Sequence, residues 1–305
     1  MHAISVAVNL SRTSNRIVGG GELEASPLIC PNCETALQGS FCHNCGQKKI
    51  SPHDYALGHF FAHALHDITH FDSKIFRSLL PLFFKPGVLT QEYLAGKRSR
   101  FIKPVTLFVL LNLFFFLVGY RMGLLNWNMR GVASGWHGAL AQKLVAEKQT
   151  ALALSEEEFA AHFNQVLALH QRNMFFFIIP MFAAALKLFY LSSRRFYVEH
   201  LIYSIHFHSF LLFYLIAGLL AFIFLLGVID WALGTGLARF FGRDPGILIP
   251  IAGGILWYML FALKRVYRQS WLTTSVKAIG LVFCELVIVA FIYRPILFFL
   301  TYFSM

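Results

Sequence analysis

Four of the five cysteines fall within sixteen residues, and their spacing is that of a metal site. Cys30-Pro31-Asn32-Cys33 is followed, after eight residues, by Cys42-His43-Asn44-Cys45-Gly46, which places two Cys-x-x-Cys knuckles on a short hairpin. Such spacing lets four thiolates converge on a tetrahedral Zn²⁺, and Gly46 supplies the backbone freedom that follows a knuckle. The expectation is a closed structural zinc ribbon, in which the metal supplies the folding energy of a very small unit. Two disulfides or a redox Cys-x-x-Cys are the competing readings. A reducing cytoplasm disfavours the first, and two copies side by side disfavour the second. His43 lies inside a knuckle and could replace a ligand, but four sulfurs already complete the set.

A second group of potential ligands follows. His59, His63, His66 and His70 recur at i, i+4, i+7 and i+11, within a narrow arc of one helix, with Phe61, Ala64, Leu65, Ile68, Ile75 and Leu79 opposite them. The plain reading is an amphipathic helix lying on the membrane surface with its histidines in water. The sharper reading is a secondary metal or proton-responsive face, because His at i and i+4 can share a metal and His titrates near neutral pH. Asp67 and Asp72 could orient ring nitrogens.

A third group lies in the apolar part of the chain, where ionisable residues are costly and invite a functional reading. These are Glu199, His206, His208 and Glu285. Glu199 and His206 are seven apart and share a helical face with Tyr203 between them, whereas His208 points roughly the other way. Glu285, beside Cys284 in mid-helix, is expected to pair with His206 across helices as a proton or metal site. The alternative is that these side chains bridge neighbouring helices by hydrogen bonds. Asn112 reads as interhelical glue, and Lys187 as a residue that snorkels from a helix end. Neither a phosphate-cradling glycine loop beside a strand nor a Gly-x-Ser-x-Gly elbow occurs, so no residue is assigned a catalytic role.

A membrane bundle must position these groups. Apolar residues make up 57% of the 305 and charged ones 13%, a balance that excludes a soluble domain of this length. The formal net charge of +11 sits mostly beside helix ends, where the positive-inside bias and anionic headgroups account for it, so nucleic acid is not an expected partner. Gly96-Lys97-Arg98-Ser99-Arg100-Phe101-Ile102-Lys103-Pro104 abuts the apolar run Val105 to Gly119 and marks the cytoplasmic mouth of a first span. The expected fold is an all-α membrane protein. A disordered tail, 1–27, precedes the zinc ribbon, 28–50, and a cytoplasmic interfacial helical segment, 51–100, broken at Pro81 and Pro86-Gly87. The transmembrane domain, 101–305, has about five spans near 104–120, 173–191, 201–229, 247–263 and 276–293. Ser155-Glu156-Glu157-Glu158 reads as a capping box that starts a helix running toward the second span, which should kink near Pro180. Basic clusters at Arg194-Arg195 and Lys264-Arg265 alternate as an amino-end-inside topology requires, and Ile296 to Phe303 either extends the fifth span or folds back.

The order of short motifs resembles a known family. Phe41-Cys42-His43-Asn44-Cys45-Gly46-Gln47, Lys85-Pro86-Gly87, Glu92-Tyr93-Leu94-Ala95-Gly96-Lys97-Arg98 and Pro104 look like the bacterial domain of unknown function numbered 3667. Glu199-His200-Leu201 and His206-Phe207-His208-Ser209-Phe210 are similar to a later stretch of the same proteins. The resemblance runs from Cys30 to about Phe210. It implies a bacterial inner-membrane protein with a zinc ribbon and brings no known activity; the histidine stripe is not part of it.

Three functions remain open. The first is a membrane-anchored binding or adaptor protein, multi-pass in the bacterial inner membrane with its amino end in the cytoplasm, whose ribbon docks a cytoplasmic protein. The second is a small transporter or channel that uses Glu285, His206 and Glu199 along a path. The third is a membrane enzyme acting on lipid through the His-rich face.

Overall fold

The computed structural model describes residues 28–49, 74–119, 127–241 and 246–305. The tail and the histidine stripe, with His59, His63, His66, His70, Asp67 and Asp72, lie outside the described residues. Among those described, the chain is helical apart from the ribbon, whose two knuckles are each closed by an isolated antiparallel bridge, Ile29 with Ala36 and Phe41 with Lys48.

Two short helices, α1 (Lys74–Phe84) and α2 (Val88–Leu94), lead to α3 (Pro104–Val118). Pro81 does not break α1 as expected, because it sits within the helix and gives up one amide hydrogen bond there. The break comes at Lys85-Pro86-Gly87, where Gly87 takes a left-handed φ of 79°. A Cβ at Gly87 would lie 2.9 Å from both the Cα and the carbonyl oxygen of Ala262, so glycine is required twice, for its φ and for close backbone approach.

Among the described residues, four helices are long and apolar enough to cross a membrane: α5 (Glu156–Phe189), α6 (Tyr197–Leu233), α7 (Leu248–Tyr267) and α8 (Trp271–Ser304), with α4 (Gly138–Leu152) preceding them. The first expected span corresponds to α3, whose 15 residues rise about 22 Å, less than the hydrocarbon thickness of about 30 Å. By contrast α5 and α8 have 34 residues each, about 51 Å, and must project well beyond the bilayer. The projecting parts meet: Phe163 of α5 stacks on Phe298 of α8 with ring centroids 5.8 Å apart, and Lys148 of α4 donates to the Tyr302 carbonyl. Ile296 to Phe303 therefore continues α8.

The predicted capping box starts α5, with Glu158 N–H donating to Ser155 Oγ and Ser155 N–H to Glu158 Oε2. Just before Pro180 the helix tightens into a 3₁₀ turn, Phe175–Phe177, because proline cannot donate to the Phe176 carbonyl and its ring crowds that group. α6 forms the centre, packed against α3 and the second half of α5, and every residue from His200 to Phe210 is buried. Its outer half exposes Phe224, Leu225 and Trp231, the side chains of a lipid-facing surface.

At the end nearest the ribbon, cations tie the helix ends together. Arg195 donates to the Val266 carbonyl, Lys187 to the Arg195 carbonyl and Arg265 to the Pro86 carbonyl. Each satisfies a carbonyl near a helix end or turn that no water inside hydrocarbon could reach. Gly87→Ala should destabilise the protein by about 1–3 kcal/mol, read as a lower unfolding midpoint in detergent. Gly253→Ala, in α7 with nothing within 4 Å of its Cβ, should be neutral or slightly stabilising.

Candidate metal centre and intramembrane polar site

Each knuckle turn aims two thiols inward. Cys30 and Cys42 are buried, Cys33 and Cys45 half-buried, and the four Sγ atoms lie within 4.8 Å of one another. Cys30 Sγ is 3.7 Å from Cys45 Sγ, and Cys33 Sγ is 3.5 Å from Cys42 Sγ. A tetrahedron of thiolates about 2.3 Å from a central dication has edges of about 3.8 Å. A disulfide needs about 2.05 Å, so the sulfurs are set for a metal ion and not for pairing. Gly46 takes a φ of 72°, and its amide donates to the Cys42 carbonyl at 2.8 Å, closing the second knuckle. His43 is exposed and stays outside the cluster. The Thr35 hydroxyl, 3.4 Å from Cys33 Sγ, together with the Thr35 backbone, pulls that thiol down to about 6. Burial pushes Cys30 up to about 11, so a metal ion would have to displace its proton.

Among the described residues, Gln47 seats the ribbon on the bundle. Gln47, the residue after Gly46, is buried; its Nε2 donates to the Gly96 carbonyl at 2.6 Å, and its Oε1 accepts from the amides of Arg98 at 3.0 Å and Ser99 at 3.2 Å. The basic turn that leads into α3 is thus held by the same knuckle that carries Cys42 and Cys45. Glu92 and Lys97 form an ion pair at 3.4 Å beside it, and the Arg98 guanidinium lies 4.8 Å from the Tyr93 ring centre.

Inside the bundle the expected pairing changes partners. Glu285 meets His208, not His206: His208 Nε2 is 3.2 Å from Glu285 Oε1. The reason is helical phase. Thr274, Ala278, Leu281 and Ile288 form the buried stripe of α8, and Glu285 falls on it. On α6 the stripe His200, Ser204, His208 faces α5, α7 and α8, and His206 lies on the opposite face, where its Nδ1 is 2.9 Å from the Thr90 hydroxyl of α2. Glu199 joins neither pair; its Oε2 accepts the Phe196 amide at 3.1 Å and caps the start of α6. Asn112 is buried, and its Oδ1 has no partner among the described residues. Lys187 lies at the helix end as expected, bonded to the Arg195 carbonyl at 2.6 Å.

Gln47 closes the Phe41–Gln47 motif, but its contact with the basic turn has no signature in residue type or spacing, and neither do the contacts of Thr90, Ser204 and Tyr267. Gln47 and Thr90 border the motifs Cys45-Gly46 and Pro86-Gly87, and adjacency to those glycine turns was the available signal.

Residues 72–116 match the family described as Protein of unknown function (DUF3667). The match supports the resemblance over a narrower stretch than Cys30 to Phe210. It covers α1, the Pro86-Gly87 turn, α2, the basic turn and most of α3, which is the segment clasped by Gln47 on one side and by His206 and Ala262 on the other. No curated protein and no solved structure matches the chain.

Gln47→Ala should release the ribbon from the turn while leaving the four thiols in place. Spin labels on the ribbon and on α2 should report a broadened distance distribution, with metal content unchanged. Three lost hydrogen bonds at about 0.5–1.5 kcal/mol each are enough to shift the docking equilibrium at least ten-fold.

Proposed function

We propose that the chain is a bacterial inner-membrane protein whose ribbon holds one structural Zn²⁺ on the cytoplasmic side and serves as a membrane-anchored docking module. The observation that carries the reading is the Gln47 clasp. It fixes a metal-sized thiol cluster at the mouth of α3 while one apolar side chain of each knuckle, Ile29 and Phe41, stays more than half exposed. A unit this small has no cleft for chemistry, and anchored apolar side chains suit capture of a protein segment.

The cytoplasmic assignment rests on charge. Arg98, Arg100, Arg195, Lys264, Arg265 and Arg268 gather at the ribbon end, the asymmetry expected of the retained side of a bilayer. Five crossings follow, with α3 the shortest, and the carboxyl end then lies on the opposite side. Free thiols also fit a reducing compartment.

Protein purified in detergent should carry about one equivalent of zinc. Cys30→Ser with Cys33→Ser should lose both the zinc and any partner that co-purifies, without altering the helical circular dichroism of the bundle. Glu285→Gln should leave zinc and partner in place. Retention of zinc by the cysteine variant, or an unchanged set of bound proteins, would overturn the reading.

A further inference from the structure

The buried pair on α6 and α8 takes no part in the ribbon, and its hydrogen-bond arithmetic is informative. His208 Nδ1 is 2.8 Å from the Ser204 carbonyl oxygen, which can only accept, so Nδ1 carries a hydrogen. Nε2 faces a carboxyl oxygen of Glu285 at 3.2 Å. A neutral imidazole so arranged offers only a lone pair to Glu285, and a carboxylate offers only lone pairs back. The contact becomes a hydrogen bond when one further proton is present, either on Nε2 as imidazolium with carboxylate or on Glu285 as carboxylic acid with imidazole. Both arrangements are neutral overall, which suits their depth in the bundle. Glu285 Oε2 is buried without a partner.

Among the described residues, polar groups approach this pair along α6 from the His200 end, past Phe182, which lies edge-on to His208 at 5.7 Å. Along the α6 stripe, Ser204 Oγ sits 3.4 Å from His208 Nδ1 and donates to the Ile179 carbonyl. One turn further, His200 Nδ1 is 2.7 Å from the Tyr267 hydroxyl, and Tyr267 stacks on Tyr190 with centroids 3.7 Å apart. His200 Nε2, Tyr190 Oη and Tyr203 Oη are buried without partners, an arrangement that calls for internal water. Arg195, 5.0 Å from the Tyr267 ring centre, and Lys277, 4.0 Å from that of Tyr190, stand at the mouth.

On the other side of the pair an apolar ring intervenes. Phe175 lies edge-on to His208 at 6.1 Å and to Tyr293 at 6.5 Å, and Tyr293 with Gln171 begins a separate polar group beyond it. Phe175 opens the 3₁₀ turn of α5, and Tyr293 ends a π-helical turn of α8, Ile288–Tyr293. Helix irregularities of this kind recur at functional sites because they free backbone groups and permit local movement.

We propose that His208 and Glu285 form an intramembrane proton-binding site, reached along α6 from the His200 end and closed toward the opposite end by Phe175. The ligand is a single proton, and binding makes only an N–H or O–H bond. Other ionisable side chains on the packed elements are Glu156, Glu157, Glu158, His162, His170, Arg172 and Lys187 on α5, with Tyr190 just after it; Tyr258, Lys264, Arg265 and Tyr267 on α7; and Lys277, Cys284 beside Glu285, Tyr293 beyond Phe175, Arg294 and Tyr302 on α8; α3 contributes none.

The test uses the full chain in proteoliposomes. Infrared difference spectra between acidic and alkaline buffer should contain either a carboxyl C=O band or an imidazolium ring band paired with a carboxylate shift, which Glu285→Gln removes and Glu285→Asp shifts. Vesicles holding wild-type protein should keep an imposed pH gradient, Phe175→Ala should dissipate it, and Phe175→Ala with Glu285→Gln should keep it again. The cysteine variant that loses zinc should behave as wild type, which separates this proposal from the docking reading. A spectrum indifferent to Glu285→Gln, a tight Phe175→Ala vesicle, or a leak that survives Glu285→Gln would each overturn the proposal.

Discussion

A helix that carries three histidines and two serines through an apolar phase must be enclosed on every side, and the arrangement of the other helices follows from that requirement. α6 is this helix. From His200 to Phe210 no residue reaches the surface, and four polar side chains each find a partner on a different neighbour: Tyr267 of α7 for His200, the Ile179 carbonyl of α5 for Ser204, Thr90 of α2 for His206 and Glu285 of α8 for His208, while Ser209 donates to the Ile205 carbonyl of α6 itself. These contacts are directional where lipid-like packing is not, and so they fix the rotation of each helix about its axis. Tyr214 continues the series by donating to the Pro250 carbonyl, and only beyond Leu219 does the enclosure end and α6 turn apolar side chains such as Phe224 and Trp231 outward.

The segment 72–116 gains meaning from the same requirement. α2 is only seven residues long and could not hold its place by propensity or length. It is held by Thr90 against His206, by Leu89 in the core, by Gly87 against the backbone of Ala262 and by Arg265 on the Pro86 carbonyl. The basic turn that follows is fixed from outside by Gln47. The stretch that matches the family is therefore a plug between the ribbon and the buried face of α6.

Much of this was legible from residue type and spacing. The two knuckles, the Ser155 capping box, the break at Pro86-Gly87 and the disturbance ahead of Pro180 are local events, each governed by residues within a few positions of one another, and all are found where expected. The partner of Glu285 was not legible. His206 and His208 differ by about 200° around α6, and nothing in the sequence says whether α2 or α8 occupies a given side. Thr90 made the difference, a residue unremarkable until it lies opposite a ring nitrogen. The reach of α8 through Ser304 was ambiguous for a related reason: Pro295 sits in the first turn after a π-helical segment, where its missing amide does little harm.

The clasp between Gln47 and the Gly96 turn joins parts of the chain that the ribosome releases at different times. The thiol hairpin leaves the exit tunnel first, and the bridges that close its two knuckles lie within residues 29–48. Its seat comes into being only after the basic turn has emerged and offers the amides of Arg98 and Ser99. Seating of the hairpin is thus a late event in synthesis, and a chain halted before Ser99 would display the hairpin unattached.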